Sequence, residues 1–444
     1  MPGKKKPANG IDVTIKSLGQ AKIPTALPHW HFIRDDEPLP FILTEEETDE
    51  IEPGKTLSLS VEKAGPRELL YFDSSKTKCA IVTCGGLCPG INDVIRAIVM
   101  TAHHNYHVAS VLGVRFGLQG FIPSFGHDVV ELTPKKVSEI HQFGGTILGS
   151  SRGHQPPDEI VDALERMNIN CLFMIGGDGT MRAAAKVVEE IAKRNLRISI
   201  IGIPKTIDND INFVSQSFGF DTAVEKATEA IQSAHTEAVG VNNGIGMVKL
   251  MGRESGFIAA QATLALKEVN FVLVPEVPFE LQGDGGLLMA LERRLRSRNH
   301  AVLVVAEGAG QNLCDVSGQH DASGNPVLGD ICTTLRSSIA KHFKEKGMDT
   351  TLKFIDPSYI IRSVPANAND RVYCGLLGQH AVHAAMAGKT GMVISMIRGN
   401  YVHLPLSLVV GERRRLNVRS DYWRAVMEST GQLMYMNHCR TDAS

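Results

Sequence analysis

The residues Pro204-Lys205-Thr206-Ile207-Asp208-Asn209-Asp210 directly follow the short apolar run 198–203. An apolar run of this length predicts a buried strand of a parallel sheet, and open α/β sheets bind their ligands beyond the carboxyl ends of such strands. In this loop Asp208 could accept a proton from an attacking hydroxyl, and Lys205 and Thr206 could hold a phosphate. Taken alone, the loop also fits a simple Asx-rich turn, because Asn and Asp favour turns.

The overall composition is that of an ordinary globular protein. The chain has 444 residues, of which 43% are hydrophobic and 21% are charged, enough for two or three domains with substantial cores. The formal net charge of −2 provides no general attraction to nucleic acid or to an anionic membrane surface. We therefore expect neither partner, and local cations must bind any phosphate group of a substrate.

The eight cysteines show no CxxC pair and no zinc-like spacing. Several lie in apolar runs, which is typical of reduced, buried thiols in a cytosolic protein. No apolar run approaches the roughly 20 residues that span a bilayer, and no apolar segment of a secretory signal follows the basic N-terminus. We expect a cytoplasmic protein without membrane segments.

From residue 78 onward, predicted strands and helices alternate. Strand 79–83 leads into a glycine-rich turn, and strand 171–175 leads into the loop 176–180, each before a predicted helix. This alternation predicts the α/β class with mostly parallel sheets. Residues 1–77 show weak periodicity and are interpreted as an N-terminal extension.

Three glycine-rich loops have the composition of phosphate-binding sites: loop 85–90, a loop that ends at Arg152, and loop 176–180. Backbone N–H groups in such turns, and the N-termini of the helices that follow, bind anions. Arg152 could clamp a phosphate with two parallel hydrogen bonds. Asp178 offers a hard carboxylate to Mg²⁺, and the next helix is predicted from about Met181. Any one of these loops alone could merely close a βα unit.

Charged residues also follow the later predicted strands, at Arg253, Glu307, Lys353 and Arg362. They fit a second lobe that binds an anionic acceptor, whereas the loops before residue 211 fit a lobe for a polyphosphate donor. With Asp208 between them in the chain, this order is that of direct phosphoryl transfer, in which Mg²⁺ neutralises the transferring group and one carboxylate accepts a proton.

Six segments occur in an order and spacing typical of one enzyme family: GGLCPGIN (85–92), GSSRG (149–153), GGDGT (176–180), PKTIDND (204–210), MGRESG (251–256) and a late Ile-Ile-Arg (360–362). Together they strongly resemble the 6-phosphofructokinases, over about residues 78–410. The lysine in PKTIDND and the N-terminal extension look most like the longer group that has plant and trypanosomatid ATP-dependent members.

The resemblance implies a role for each matching residue. Implied catalytic residues are Asp208 as the base on the sugar 1-hydroxyl, Asp210 as its support, Thr206 and Lys205 at the transferred phosphate, and Arg152 on the transferring group. Implied cofactor-binding residues are Gly86, Arg152, Gly177, Asp178, Gly179 and Thr180, with Asp178 as the Mg²⁺ ligand. Implied substrate-binding residues are Thr206, Asp208, Met251, Gly252, Arg253 and Glu307 at the fructose moiety, with Tyr359 and Arg362 at its 6-phosphate.

The implied reaction is transfer of the γ-phosphoryl group of ATP to the 1-hydroxyl of fructose 6-phosphate, a step of glycolysis. In this family a glycine after GGD leaves room for ATP, whereas an aspartate obstructs it and favours pyrophosphate, so Gly179 indicates ATP. Lys205 is shared with some pyrophosphate-dependent relatives, which leaves pyrophosphate as the alternative donor. A non-catalytic sugar-phosphate sensor on the same fold is the alternative of another class.

Two other enzyme classes fit less well. NAD kinases and lipid kinases have a similar GGDGT loop but lack the TIDND and MGR segments. A dinucleotide-binding oxidoreductase would need a GxGxxG turn, and the first loop, GGLCPG, lacks that spacing.

The expected architecture is two αβα sandwich lobes with mostly parallel sheets, plus the N-terminal extension. Residues 78–220 and 361–410 are expected to form the phosphoryl-donor lobe, and residues 221–360 and 411–444 the sugar-phosphate lobe. The resemblance also implies an allosteric homotetramer, with a homodimer as the alternative.

Overall fold

The computed structural model describes residues 11–28, 31–44, 56–315, 318–320, 326–411, 413–434 and 436. The expected extension and the expected end of the second lobe therefore lie partly outside the described residues. The chain divides into two compact units. Unit 1 comprises Met1–Thr206, Ile211–Gly219 and Ser363–Arg414, and unit 2 comprises Ile207–Asp210, Phe220–Arg362 and Arg415–Ser444.

The strands of the described residues are β1 (Lys16–Ser17), β2 (Ile23–Pro24), β3 (Leu39–Thr44), β4 (Thr56–Lys63), β5 (Leu69–Leu70), β6 (Lys78–Thr83), β7 (Ser110–Val114), β8 (Val129–Glu131), β9 (Cys171–Gly176), β10 (Ser199–Pro204), β11 (Gly244–Leu250), β12 (Phe271–Leu273), β13 (His300–Ala306), β14 (Thr351–Ile355), β15 (Lys389–Thr390), β16 (Met392–Ile397) and β17 (Asn400–Pro405).

The α-helices of the same residues are α1 (Ile91–His104), α2 (Pro134–Val137), α3 (Pro157–Arg166), α4 (Asp178–Lys193), α5 (Phe220–Val239), α6 (Phe257–Leu266), α7 (Leu287–Arg298), α8 (Ile331–Glu345), α9 (Ser358–Ser363), α10 (Ala368–Met386), α11 (Leu406–Val409) and α12 (Asp421–Thr430).

Unit 1 is built on a nine-stranded sheet, within the described residues, in the order β3-β4-β17-β16-β10-β9-β6-β7-β8. Its five middle strands, from β16 to β7, are parallel to one another. Leu172 and Met174 of β9 pack in one hydrophobic cluster with residues of α3 and α4. The alternate residue Phe173 is also fully buried, as expected when both faces of a parallel sheet are covered.

The expected extension is part of this sheet. Strand β4 pairs with β17, with Glu62 opposite His403, and β3 pairs with β4. Although the sequence analysis found weak periodicity here, Leu59 and Val61 of β4 alternate with polar residues and are buried, the pattern of a half-buried strand.

The partly buried carboxylate of Glu62 bonds the extension to the rest of unit 1. It accepts hydrogen bonds from Nδ1 of His403 at 2.8 Å, from Arg67 at 3.0 Å and from Lys389 at 3.0 Å. Burial alone would raise the pKa of Glu62, but the hydrogen bond from His403 and the charges of Lys389 and Arg67 outweigh it and lower the pKa to about 2.

Unit 2 contains a four-stranded, fully parallel sheet in the order β12-β13-β11-β14, among the described residues. Ile245 and Met247 of β11 pack in one cluster with residues of α7 and α8, while α5 and α6 contact β13. Helices therefore cover the sheet, and the two mostly parallel sheets confirm the predicted α/β class.

The C-terminal segment of unit 2 packs beside β12, an edge strand of this sheet. The side-chain amide of Gln432 accepts a hydrogen bond from the N–H of Val272 at 2.6 Å and donates one to its carbonyl at 3.2 Å. One glutamine thus satisfies both polar groups of a residue on an otherwise open strand edge. Trp423 and Val426 of α12 are buried.

Candidate active site

Three loops of unit 1 follow neighbouring parallel strands at one edge of the nine-stranded sheet. Thr83 lies opposite Ile175, and Pro204 lies opposite Gly176. The carboxyl ends of β6, β9 and β10 are therefore level. The loops that follow these strands lie side by side, where open α/β sheets bind ligands.

Lys205, in the loop after β10, hydrogen-bonds to the end of β9 and to the loop after β6. Its backbone N–H donates to the carbonyl of Gly176 at 2.9 Å, and its Nζ atom donates to the carbonyl of Gly86 at 2.7 Å. Only 6% of the lysine is exposed. A buried cation therefore lies at the edge of the sheet, beside glycines whose backbone a phosphate can approach closely.

A fourth loop, the glycine-rich one that ends at Arg152, also joins this edge. Ser150 Oγ donates to the carbonyl of Gly85 at 2.6 Å, and the Gly85 N–H donates to the carbonyl of Ser151 at 3.0 Å. Arg152 is exposed, and its Nη2 atom is 3.6 Å from the position that a Cβ atom on Gly86 would take. A guanidinium and a side-chain-free backbone thus lie next to each other.

Helix α4 begins at Asp178 instead of near Met181 as predicted. Gly177 is extended and precedes the helix, and its carbonyl accepts the N–H groups of Thr180 and Met181. Residues 178–180 therefore form the first helical turn. The turn fits because Gly176 has no side chain, since a Cβ atom there would collide with the side chain of Thr180. Anions are favoured at such a helix start.

Asp178 lies between two arginines that the sequence analysis missed. Arg182 Nη1 is 2.5 Å from its Oδ2 atom, and Arg413 Nη2 is 4.0 Å away. Arg182 could have been found from its position four residues later in the helix. Nothing in the local sequence connects Arg413 with Asp178.

The space around Gly179 is open. The residue is exposed, and a Cβ atom added to it would meet no atom within 4 Å. Thr206, the second residue after β10, is partly buried, and its carbonyl accepts a hydrogen bond from Ser217 Oγ at 2.5 Å.

In unit 2 a second set of loops follows parallel strands at one sheet edge. Leu250 lies opposite Ala306, so that Met251 and Glu307 start their loops level with each other. The Glu307 N–H donates to the carbonyl of Leu250 at 2.9 Å, and the Gly308 N–H donates to that of Gly252 at 3.0 Å. The two loops are thus joined by backbone hydrogen bonds.

Asp208 is a partly buried carboxylic acid, with its Oδ1 atom buried, and it has acidic neighbours in unit 2. Burial, the largest cause, and the nearby charges of Asp210 and Glu307 raise its pKa to about 7, although Arg362 and the backbone N–H of Arg253 act in the opposite direction. A group with this pKa accepts a proton at neutral pH more readily than an exposed aspartate.

Of the predicted substrate residues in the loop after β11, Arg253 contacts Asp208 through its backbone N–H. Ser255 Oγ donates to the backbone carbonyl of Asp208 at 3.1 Å, a contact that the sequence analysis missed. Arg362 Nε donates to the sulfur of Met251 at 3.2 Å. Hydrogen bonds therefore join the loop of Asp208 to the loop after β11, and that loop to α9.

Tyr359 and Arg362 are on helix α9. Asp356 starts the helix, because its Oδ1 atom accepts the N–H of Ser358 at 3.1 Å and its hydroxyl at 2.5 Å. Pro357 follows this capping residue, as is common at a first helical position. The ring of Tyr359 is exposed.

Lys353 does not join this set. It lies within strand β14, opposite Gly246, and its Nζ atom is 3.7 Å from Glu237 of α5. Its charge therefore pairs with a helix that covers the sheet.

The structure thus gathers the predicted residues in two groups. Unit 1 contains Gly86, Arg152, Gly177, Asp178, Gly179, Thr180, Lys205 and Thr206, and unit 2 contains Asp208, Asp210, Met251, Gly252, Arg253, Glu307, Tyr359 and Arg362.

Within the part of the chain that the structure describes, no three His, Cys, Asp or Glu residues form a complete metal site. A single carboxylate such as Asp178 still fits Mg²⁺, which commonly takes one or two protein carboxylates and completes its shell with phosphate and water. None of the described helices is both long and apolar enough to cross a membrane.

Comparison with known proteins identifies the family. The phosphofructokinase family model matches residues 78–385. The chain is 48% identical to the ATP-dependent 6-phosphofructokinase of Borreliella burgdorferi, over 96% of this chain and 98% of that protein. It is 47% identical to the ATP-dependent 6-phosphofructokinase of Trypanosoma brucei brucei, over 86% and 78% of the two chains.

Solved structures support the fold. A pyrophosphate-dependent phosphofructokinase from Marinobacter aquaeolei covers 81% of this chain and 92% of its own, with a TM-score of 0.65 at 20% identity. Pichia pastoris phosphofructokinase matches 75% of this chain and 35% of its own, with a TM-score of 0.62 at 23% identity. The family match and the close relatives show that this chain belongs to the phosphofructokinase family.

Proposed function

We propose that this protein transfers the γ-phosphoryl group of ATP to the 1-hydroxyl of fructose 6-phosphate, giving fructose 1,6-bisphosphate and ADP. The observation that carries the proposal is the partly buried Asp208, whose pKa is raised to about 7 by burial and by the charges of Asp210 and Glu307. The relatives named ATP-dependent 6-phosphofructokinase include bacterial, plant and trypanosomatid proteins, which supports both the acceptor and the donor.

On the acceptor side, Asp208 is the general base. It takes the proton of the 1-hydroxyl while the new O–P bond forms and the bond between the β- and γ-phosphates breaks. Asp210 and Glu307 keep the pKa of this base high. Met251, Gly252 and Arg253 hold the sugar.

Helix α9 supplies the groups for the 6-phosphate. Arg362 can bind the phosphate by two parallel hydrogen bonds, and Tyr359 contributes an exposed phenol. The support for this role is the position of α9, which the hydrogen bond from Arg362 to Met251 fixes against the sugar loop.

On the donor side, the residues of unit 1 bind the phosphates of ATP. Lys205, Arg152 and the backbone of Gly86 neutralise the transferring group. Gly177, Gly179 and Thr180 cradle the donor phosphates at the start of α4, and Thr206 binds the phosphate as it is transferred.

Asp178 would hold Mg²⁺, which supplies positive charge to the donor phosphates when bound. Its Oδ2 atom is paired with Arg182, so the arginine and the metal would share this carboxylate. An Asp178→Asn variant should need more Mg²⁺ for half-maximal rate, whereas an unchanged Mg²⁺ requirement would contradict this assignment.

Assays with two donors test the proposal. The purified protein receives fructose 6-phosphate and Mg²⁺ with ATP in one sample and pyrophosphate in the other, and fructose 1,6-bisphosphate is followed. We expect turnover with ATP. Turnover with pyrophosphate alone would overturn the assignment of ATP as donor. Lys205 would then indicate the donor better than Gly179 does. No turnover, with fructose 6-phosphate still bound in a calorimetric titration, would favour the sugar-phosphate sensor.

The protein is proposed to act as a cytoplasmic homotetramer, with a homodimer as the alternative. Phe143 and Val372 of unit 1 are exposed apolar side chains, which are common where subunits meet. None of the seven cysteines that the structure describes forms a disulfide, which fits a reducing compartment. Light scattering of the purified protein would distinguish four subunits from two.

The two units are proposed to divide the work as donor lobe and sugar-phosphate lobe, with residues 1–77 as an extension of the donor lobe. This division assigns residues 207–210, which belong to unit 2, to the acceptor side. Asp208 then shares a unit with the sugar residues, which supports its role as the base.

A further inference from the structure

Glu276 is a partly buried carboxylate that the proposed chemistry does not use. It follows strand β12, and its Oε1 atom accepts two backbone N–H groups, that of Gly256 at 3.0 Å and that of Leu416 at 2.8 Å. Its Oε2 atom is buried and forms no hydrogen bond with the described residues.

The first donor connects Glu276 with the sugar loop. Gly256 is the residue before helix α6 and directly follows the loop 251–255. A Cβ atom on Gly256 would collide with Val274, so this helix start has no side chain of its own to cap it. The carboxylate of Glu276, which lies after strand β12, caps the helix start instead. A helix N-terminus favours negative charge.

The second donor connects Glu276 with the C-terminal segment. Leu416 is buried, and the segment continues to α12, which packs against α6. One carboxylate oxygen thus joins three separate parts of unit 2: the end of β12, the start of α6 and residue 416.

The link continues to Asp208. Ser255, fully buried and adjacent to Gly256, donates its hydroxyl to the backbone carbonyl of Asp208 at 3.1 Å. Two residues earlier, the backbone N–H of Arg253 hydrogen-bonds to the carboxylate of Asp208. The position of the helix start therefore determines two contacts of the proposed base.

A buried carboxylate with one unbonded oxygen is costly in free energy. Burial raises the pKa of Glu276, while the two N–H groups and the charge of Arg415 act in the opposite direction. Such a cost is commonly retained where a group holds a functional site in place.

We propose that Glu276 is a positioning residue for phosphoryl transfer: by fastening Gly256 to Leu416 it holds the loop 251–255 in the geometry that orients Asp208. This inference rests on the proposed function. It assigns a task to the C-terminal segment as well, because that segment provides one of the two N–H groups.

The test compares Glu276→Ala with Glu292→Ala, after turnover of the wild-type protein with ATP and fructose 6-phosphate has been measured. Glu292 is a matched control, because it is a buried carboxylate of the same unit whose described partners lie on α7 and at the end of α8, namely Arg296, His342 and Lys346. Thermal unfolding of both variants measures how much folding stability each substitution removes.

We expect Glu276→Ala to lower kcat/KM for fructose 6-phosphate by about 10- to 100-fold, with the KM for ATP unchanged. The acid limb of its pH profile should move to higher pH, because a weaker hydrogen bond from Arg253 raises the pKa of Asp208. Glu292→Ala should be less stable than the wild type but should keep its kcat/KM for fructose 6-phosphate and its pH profile. Glu276→Gln, which can still accept both N–H groups, should restore most of the activity.

Two results would overturn the inference. One is a Glu276→Ala enzyme that is less stable than the wild type but has the same kcat/KM and the same pH profile. If that variant does not fold, Glu276→Asp, which withdraws the carboxylate by one methylene, replaces it, and an unchanged kcat/KM would overturn the inference equally. An inactive wild-type protein would instead overturn the proposed function and this inference together.

Discussion

The Nζ atom of Lys205 donates a hydrogen bond of 2.7 Å to the carbonyl oxygen of Gly86, a residue 119 positions earlier in the chain. This contact joins the loop after β10 to the loop after β6. A single buried lysine therefore both provides positive charge and fixes the backbone that a donor phosphate would approach.

Replacing Lys205 by methionine should lower kcat by about 100-fold, because the variant keeps the length and packing of the side chain but loses its charge and its hydrogen bond. Lys205→Arg should not restore the rate, since a planar guanidinium cannot occupy the site of a compact ammonium group. The rate of fructose 1,6-bisphosphate formation measures both effects.

The control is Lys186→Met, a substitution farther along helix α4 in the same unit. Its rate should stay near that of the wild type. Equal losses in the two variants would mean that Lys205 has no special task in the transfer.

Asp208→Asn should lower kcat by about 1,000-fold, because the amide cannot accept the proton of the 1-hydroxyl. The same variant should be more stable at neutral pH. Since the folded-state pKa of Asp208 is raised to about 7 from 3.8, the folded protein binds more protons than the unfolded chain between these values, and stability falls as the pH rises through them.

Steady-state rates and thermal unfolding at pH 7 and at pH 4 check this pair of effects. The gain in Tm of Asp208→Asn should be about 2 °C or more at the higher pH and should vanish at the lower one. The exposed Asp421→Asn serves as control. A stable variant with full activity would remove Asp208 from the role of base.

The pH profile of kcat/KM should show an acid limb with an apparent pKa of about 7, because the carboxylate form of Asp208 is the active one. Below that value the rate should fall about tenfold per pH unit. Glu307→Gln removes a negative neighbour, lowers the pKa of Asp208 and should move the limb to lower pH. Glu237→Gln, at the surface of α5, should leave it in place.

Gly179→Asp should abolish turnover with ATP, whereas Gly179→Ala should retain it. A Cβ atom at this position meets nothing within 4 Å, so neither variant should disturb the fold, and alanine even improves the helix propensity of the first turn. The KM for ATP and the rate with pyrophosphate measure the outcome. Normal ATP turnover by the aspartate variant would show that this position does not select the donor.

Glu62→Gln should destabilise the protein by about 3 kcal/mol at neutral pH, because Lys389 and Arg67 lose their buried counter-charge. The folded-state pKa of Glu62 is lowered to about 2 from 4.5, so its contribution is complete above pH 4.5 and is lost as the pH falls toward 2. Denaturant unfolding of wild type and variant should therefore converge in acid. Asp36→Asn, at the exposed ion pair with Arg34, is the control.

The sequence by itself determined the α/β class, the strands that end at the proposed site and most of the residues at their ends. Those signals are local: an apolar run of five or six residues indicates a buried strand, and a glycine or an Asx residue after it indicates a turn. The loops around Gly86, Asp178, Asp208 and Met251 could be found in this way.

Only the tertiary structure decided which distant residues meet. Arg413 approaches Asp178, Ser255 bonds to Asp208, and Glu276 bonds to Gly256 and Leu416, yet no spacing in the chain predicts these contacts. The end of β9 shows the difference between local pattern and three-dimensional contact within a few residues. Helix α4 begins at Asp178 because Thr180 packs over Gly176. A local pattern specifies strand, turn and helix, whereas the partner of a buried polar group depends on how the whole chain folds around it.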